Sequence, residues 1–295
     1  MTIHAYPINT TKPSPLVDFW NTVLAPKFIT YRHILVGGLS QHSAAIMPRL
    51  DIAEGDQILD IGCGFGDTAI ALADHTGPKG EVLGVDCCQD FIDLARQSIS
   101  QDQPDNVRFI CHDVENGLAA SDFDFVFARF GTMFFVNPVA GLKAMRAAMK
   151  PGGRMAHIVW RNREDNPWLI SARDVVQSIL PKPGENALTC GPGPFSMEDE
   201  TVLRGQMEAA GYCDIAFERL DAKVLVGRTV EEAIAFQLAI GPAGETFREG
   251  GLLAEEKRSE VEVALAEMFR GVESDEEGLW MDSSSWIVTA RNPEE

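Results

Sequence analysis

The chain has 295 residues, 45% of them apolar, which is enough to bury one large core, so one main domain with additions is expected. Its formal net charge of −19 repels phosphate backbones and argues against nucleic acid as substrate or partner. No segment reaches the ~18 unbroken apolar residues of a membrane span, and no basic stretch followed by an apolar one marks a signal peptide, so a cytoplasmic location is expected. Six cysteines, at 63, 87, 88, 111, 190 and 213, form no C-x-x-C pair and are expected to be reduced thiols.

Residues 1–13 contain Pro7 and Pro13, show little periodicity and read as a tail or strap. Ser14-Pro15 reads as an N-cap followed by proline at the first helical position. Leu16, Phe19, Trp20, Val23 and Leu24 follow at helical spacing, and Pro26 ends or kinks that helix. A second helical stretch, 28–35, stops at Gly37-Gly38, and a third starts at Ser40. Residues 1–50 are therefore expected to form a helical prelude that folds over a ligand pocket as a lid.

Gln57 to Thr68 reads QILDIGCGFGDT: an apolar run of strand length, a glycine turn, then a helical pattern. Glycines there permit positive φ and let a ligand approach main-chain N–H groups. Glu81–Asp86 reads as a second strand ending in an acid, with a helix marked by Phe91, Leu94 and Ala95 after it. Strands follow at 107–110, 123–128 and 154–160, with a helix at 138–150. This alternation predicts an α/β, doubly wound, mostly parallel sheet with helices on both faces. Ligands of such sheets sit beyond the carboxyl ends of the strands.

Residues 161–195 carry five prolines and read as an irregular lid or substrate loop. Ser196 and Asp199 suggest a capping box for a helix closed by Gly211, and 214–226 reads as one long or bent strand. Thr229 and Glu232 suggest a second box, opening a helix to about Ile240. A helix at 252–269 and a closing strand at 286–290 complete the chain.

The turn fits a dinucleotide poorly. The fingerprint G-x-G-x-x-G/A, counted from Gly62, puts Asp67 at its third small position, where a carboxylate would meet a pyrophosphate with like charge. No Gly-Lys-Ser/Thr follows, so a Walker loop fails too. Asp60 with Gly62, Gly64 and Gly66 makes D-x-G-x-G-x-G. Asp86 ends the second strand twenty residues beyond Gly66, where a carboxylate can accept two ribose hydroxyls. Asp113 ends the third strand, placed to accept from an adenine amino group, with the Val114 N–H beside it. Cys87 and Val114 could flank the ring.

With its motifs at successive strand ends, 50–160 resembles the class I S-adenosylmethionine (SAM)-dependent methyltransferases, most closely the small-molecule branch that includes the ubiquinone and menaquinone C-methyltransferases. The resemblance implies a Rossmann-like seven-stranded sheet whose last strand is antiparallel and inserted beside the fifth and sixth. It implies SAM as cofactor, with Asp60 and Gly62 to Gly66 around the methionine part and the backbone near Ala128-Arg129 taking the amino group. The expected layout is a prelude at 1–50, a SAM-binding core at 51–160, a lid loop, helix and sixth strand at 161–228, a helical insertion at 229–278 and the final core strand at 279–295. The helical additions are expected to form a cap.

After the fourth strand the chain reads Ala128-Arg129-Phe130-Gly131, without the Asn/Asp-Pro-Pro-Tyr/Phe tetrad that clamps planar amides and amines. No gathering of carboxylates suggests a metal there, so none is expected. Candidates for acceptor handling are Tyr31, His33 as a base, His42, Arg129, and Trp160-Arg161. The expected activity is methyl transfer to a small molecule by a monomer or homodimer. An NAD(P)-dependent oxidoreductase and a non-catalytic SAM-binding protein remain the competing readings.

Overall fold

The computed structural model describes residues 14–99, 105–119, 121–184, 187 and 190–294; the expected tail or strap at 1–13 lies outside them. Ser14 caps α1 (Pro15–Phe19), its hydroxyl oxygen accepting from Val17 N at 3.2 Å. A π-helical turn, Trp20–Leu24, carries the chain into α2 (Ala25–Thr30). Pro26 lies in the first turn of α2, where its missing N–H is tolerated, so it marks a join rather than an end. α3 (Arg32–Ile46) runs through Gly37 and Gly38, where a stop was expected, and absorbs the separate helix expected from Ser40. The physical reason is close packing: a Cβ on Gly38 would lie 2.9 Å from Leu225 O.

The core then alternates as its sequence predicts. In order come β1 (Gln57–Ile61), α4 (Asp67–Thr76), β2 (Glu81–Asp86), α5 (Gln89–Ser98), β3 (Val107–Cys111), β4 (Phe123–Arg129), α6 (Pro138–Ala148) and β5 (Met149–Trp160). Ile58, Leu59, Asp60 and Ile61 are all buried, as both faces of a covered parallel sheet require.

The reading of 161–195 as irregular is corrected by α7 (Pro167–Ile179). Pro167 stands in the first turn, where proline is favoured, and Trp168, Leu169, Ala172 and Val176 form one buried face. α8 (Glu200–Ala210) is capped by Asp199, whose Oδ1 accepts from Val202 N at 3.0 Å. Ser196, expected in that box, instead donates to Met133 O at 2.5 Å.

β6 (Cys213–Gly227) leads into α9 (Val230–Ala239), whose cap Thr229 accepts from Glu232 N at 3.2 Å. α10 (Gly241–Glu256), kinked at Gly251, and α11 (Arg258–Phe269) replace the single helix expected at 252–269. After the two-residue β7 (Glu273–Ser274), β8 (Leu279–Arg291) extends the expected closing strand in both directions.

The sheet order is β3-β2-β1-β4-β5-β8-β6, with β7 pairing only with β8. β1, β2, β3, β4 and β5 pair in parallel; β8 runs antiparallel between β5 and β6. This is the inserted last strand that the resemblance implies, with one short strand added. Chain order reverses direction across the sheet between β1 and β4, and that switch point leaves a crevice at the strand ends. α10 and α11 pack on α7, and α3 packs on β6.

Candidate active site

Three strand ends meet at this crevice. Gly62, Gly64 and Gly66 all hold positive φ, at 65°, 52° and 86°. Gly62 N and Cys63 N both donate to Val85 O, at 2.8 and 3.1 Å, tying the turn to β2. A Cβ on Gly62 would come 3.0 Å from Gly131 Cα, so the β1 and β4 turns touch glycine to glycine. A Cβ on Gly66 would strike the Phe109 ring at 2.7 Å, which makes Gly66 a packing position. A Cβ on Gly64 would meet nothing within 4 Å, so here the turn opens on free space.

Asp86 braces the turn. Its Oδ2 accepts from Gly64 N at 3.0 Å and its Oδ1 from Cys88 N at 2.9 Å. Burial pushes its carboxyl up to about 6, against the pull of those backbone donors. Asp113 caps the 3-10 turn Val114–Asn116, accepting from Glu115 N at 3.1 Å and Asn116 Nδ2 at 3.0 Å. Asp60 is fully buried beneath the turn. The Thr68 hydroxyl donates to its Oδ2 at 2.6 Å, while Oδ1 has no partner among the described residues. Desolvation raises the Asp60 carboxyl to about 7, with the Thr68 bond and Arg129 opposing.

Around these groups lies a cavity of about 1160 Å³, part of it open to solvent. Gly62, Gly64, Asp86, Cys87, Asp113, Val114 and Arg129 all line it. Asp60 and Gly66 support the turn from outside that lining. Arg129 is held twice: its guanidinium lies 2.8 Å from Asp67 Oδ2 and donates to Ser43 Oγ at 3.0 Å. Tyr31 and His33 are not brought to the cavity. Tyr31 packs on Phe236 with ring centroids 5.6 Å apart, and His33 pairs with Glu232 at 2.8 Å near the surface.

On the opposite wall, Phe130 and Phe134 escaped sequence reasoning, while Trp20 and Phe28 lie in the stretch expected to fold over a pocket. Trp20, Phe28, Phe130 and Phe134 line the cavity, and Trp20 meets Phe134 edge-on at 5.0 Å. Asn21 fastens that wall to the core, its Nδ2 donating to Cys87 O at 3.2 Å and its Oδ1 accepting from Gln89 N at 3.2 Å. The aromatic density of 130–135 was the available signal. Trp160, named for acceptor handling, stacks on Phe130 behind this wall with centroids 3.8 Å apart. All six cysteines are free thiols.

A mostly parallel sheet with a glycine turn at β1 and acids at the ends of β2 and β3 has the arrangement of nucleoside-binding α/β domains. Residues 58–153 match the family described as "Methyltransferase domain". The demethylmenaquinone methyltransferase of Geobacillus sp. (strain WCH70) is 34% identical over 110 residues, 37% of this chain and 47% of that protein. The demethylmenaquinone methyltransferase of Staphylococcus aureus (strain JH9) is 31% identical over 109 residues, 37% of this chain and 44% of that protein. The chain thus spans about half the length of the curated relatives it matches. Among solved structures, phosphoethanolamine N-methyltransferase 2 of Haemonchus contortus, in complex with S-adenosyl-L-methionine, superposes with TM-score 0.56 at 16% identity, covering 95% of this chain and 60% of that one. The YcgJ protein of Bacillus subtilis gives TM-score 0.52 at 16% identity, covering 86% and 99%. At such identities these two structures speak for the fold alone. The chain carries a class I SAM-dependent methyltransferase domain, and the sequence of that domain resembles the demethylmenaquinone methyltransferases.

Proposed function

We propose that the chain transfers the methyl group of SAM to a small-molecule acceptor. The observation that carries this reading is the convergence of Gly64, Asp86 and Asp113 on one cavity from three successive strand ends. When bound, SAM supplies an electrophilic methyl: an acceptor lone pair bonds to it as the sulfur–carbon bond breaks, and that bond's electrons return to sulfur.

The chain's own residues bind and align. The Asp86 carboxylate accepts the ribose hydroxyls, and Asp113 with the Val114 N–H faces the adenine edge. The turn at Gly62–Gly66 surrounds the methionine end, with Asp60 beneath it. Arg129, tied to Asp67 and Ser43, holds the end of β4 against that turn. The wall of Trp20, Phe130 and Phe134 excludes water. Alignment and desolvation are the main contributions such a reaction asks of its protein.

Calorimetric titration with SAM and with NADH, followed by transfer of labelled methyl to a panel of small acceptors, tests the reading. SAM binding with turnover is the expected result. NADH binding without SAM binding overturns it, and SAM binding with no turnover on any acceptor favours a sensor or an assembly role.

A further inference from the structure

Beside the first cavity lies a second, of about 750 Å³. It shares Trp20, Phe28, Leu35, Leu39, Phe130 and Phe134 with the first, so the two adjoin along those side chains. Its far side is Trp160 from the end of β5, Trp168 and Leu169 from α7, and Gly241 and Gly244 from α10. Most of that lining lies outside residues 58–153, the stretch that matches the methyltransferase family. Residues 58–153 thus supply much of the first cavity, and elements outside them supply most of the second.

The lining is apolar except at one end, where Lys27, Glu245 and Arg248 gather. Glu245 Oε1 already accepts from Cys190 N at 3.0 Å. Arg248 pairs with Glu249 at 3.1 Å and lies over the Phe19 ring at 5.0 Å. Lys27 is half-buried, yet among the described residues its amine makes neither a hydrogen bond nor an ion pair. Burial, then Arg248, pushes that amine below the usual lysine range, while Glu245 acts the other way. With Arg248 paired to Glu249, Lys27 is the cation at this end without an ion pair among the described residues. A half-buried ammonium without a partner is costly, and an anion from the ligand would satisfy it.

We propose that the second cavity is the acceptor site and that it takes a flat apolar acid, its body among Trp160, Trp168 and Phe134 and its anionic group on Lys27. The inference rests on the first cavity holding SAM. Aromatic rings offer broad faces for such a body, and the amine fixes where its anionic end lies.

The test is titration of the full chain, loaded with S-adenosylhomocysteine so that nothing turns over, with 2-naphthoate and with 2-naphthamide. The two probes share one apolar body and differ in charge. Naphthoate should bind at least about tenfold tighter than the amide, roughly the worth of one partly desolvated charge pair. Lys27→Met should abolish that preference while leaving affinity for the amide and for S-adenosylhomocysteine unchanged. Lys27→Arg, which keeps the charge, should retain it. Equal affinities for the two probes, or equal weakening of both by Lys27→Met, would overturn the proposal. So would a chain that binds S-adenosylhomocysteine but neither probe, and in that case the methyl-transfer reading stands. A chain that binds neither SAM nor S-adenosylhomocysteine sinks that reading itself, and this inference with it.

Discussion

The Phe130 ring stacks on Trp160, with centroids 3.8 Å apart and planes within 13° of parallel. Phe130 reaches this position from a left-handed backbone, φ 56°, which a bulky residue adopts only under constraint from its surroundings. Its ring faces both cavities, whereas Trp160 lines only the second. Phe130→Ala should therefore destabilise the fold by roughly 3 kcal/mol through lost packing, since alanine keeps the Cβ and with it the backbone strain. It should also lower kcat/KM for the acceptor more than affinity for SAM. Denaturant unfolding and steady-state kinetics check the two parts, and a variant changed in stability alone would remove Phe130 from any role between the cavities.

Gly64 and Gly66 stand two residues apart and should fail differently. Alanine at 66 meets the Phe109 ring at 2.7 Å, so Gly66→Ala should cost about 2–3 kcal/mol of stability through overpacking and backbone strain. Alanine at 64 meets no protein atom within 4 Å, so Gly64→Ala should cost only about 1 kcal/mol, from its positive φ. The added methyl would instead enter the cradle and weaken SAM binding. Thermal unfolding with and without SAM separates the two effects.

Acid stability follows from two buried histidines. His42 donates to or accepts from Ser285 Oγ at 2.9 Å and Ser283 Oγ at 2.8 Å, and burial lowers its pKa to about 4. Burial does the same to His157, also to about 4. A depressed folded pKa gives stability that is present above the unfolded value of about 6.5 and lost as pH falls towards 4. Asp60 and Asp86, raised to about 7 and about 6, work in the opposite sense: their contribution is present below the unfolded carboxylate range and is lost as pH rises through 6–7. His42→Gln keeps groups for both serines but cannot charge. Between pH 8 and pH 5 its stability relative to the wild type should therefore rise by roughly 2 kcal/mol. Urea unfolding at the two pH values measures this, and a constant difference would contradict the assignment.

The strands and the cradle were legible because they follow local rules. Apolar runs of strand length, glycines at the turn and acids at strand ends predict β1, β2, β3 and the groups placed there. The inserted β8 was legible only through resemblance, since antiparallel pairing between β5 and β6 is a long-range choice. Where contacts between distant elements decide, local reading failed. Gly37 and Gly38 look like a helix end until the β6 backbone is seen beside Gly38. The prolines of 161–195 look like a loop until Pro167 is seen opening α7. Tyr31 and His33 have suitable chemistry, but helix phase turns them towards Phe236 and Glu232 instead of the cavity. Lys27 carries no motif at all; its interest comes from what surrounds it.

The most direct measurement is the affinity for SAM of the wild type and of Asp86→Ala, by calorimetry at pH 8, where the wild-type carboxylate is ionised. The account predicts measurable wild-type binding, weakened by about 2–4 kcal/mol, or roughly 30- to 1000-fold, in the variant, which loses the acceptor of two buried hydroxyls. An unchanged dissociation constant, or no SAM binding by the wild type, would contradict it.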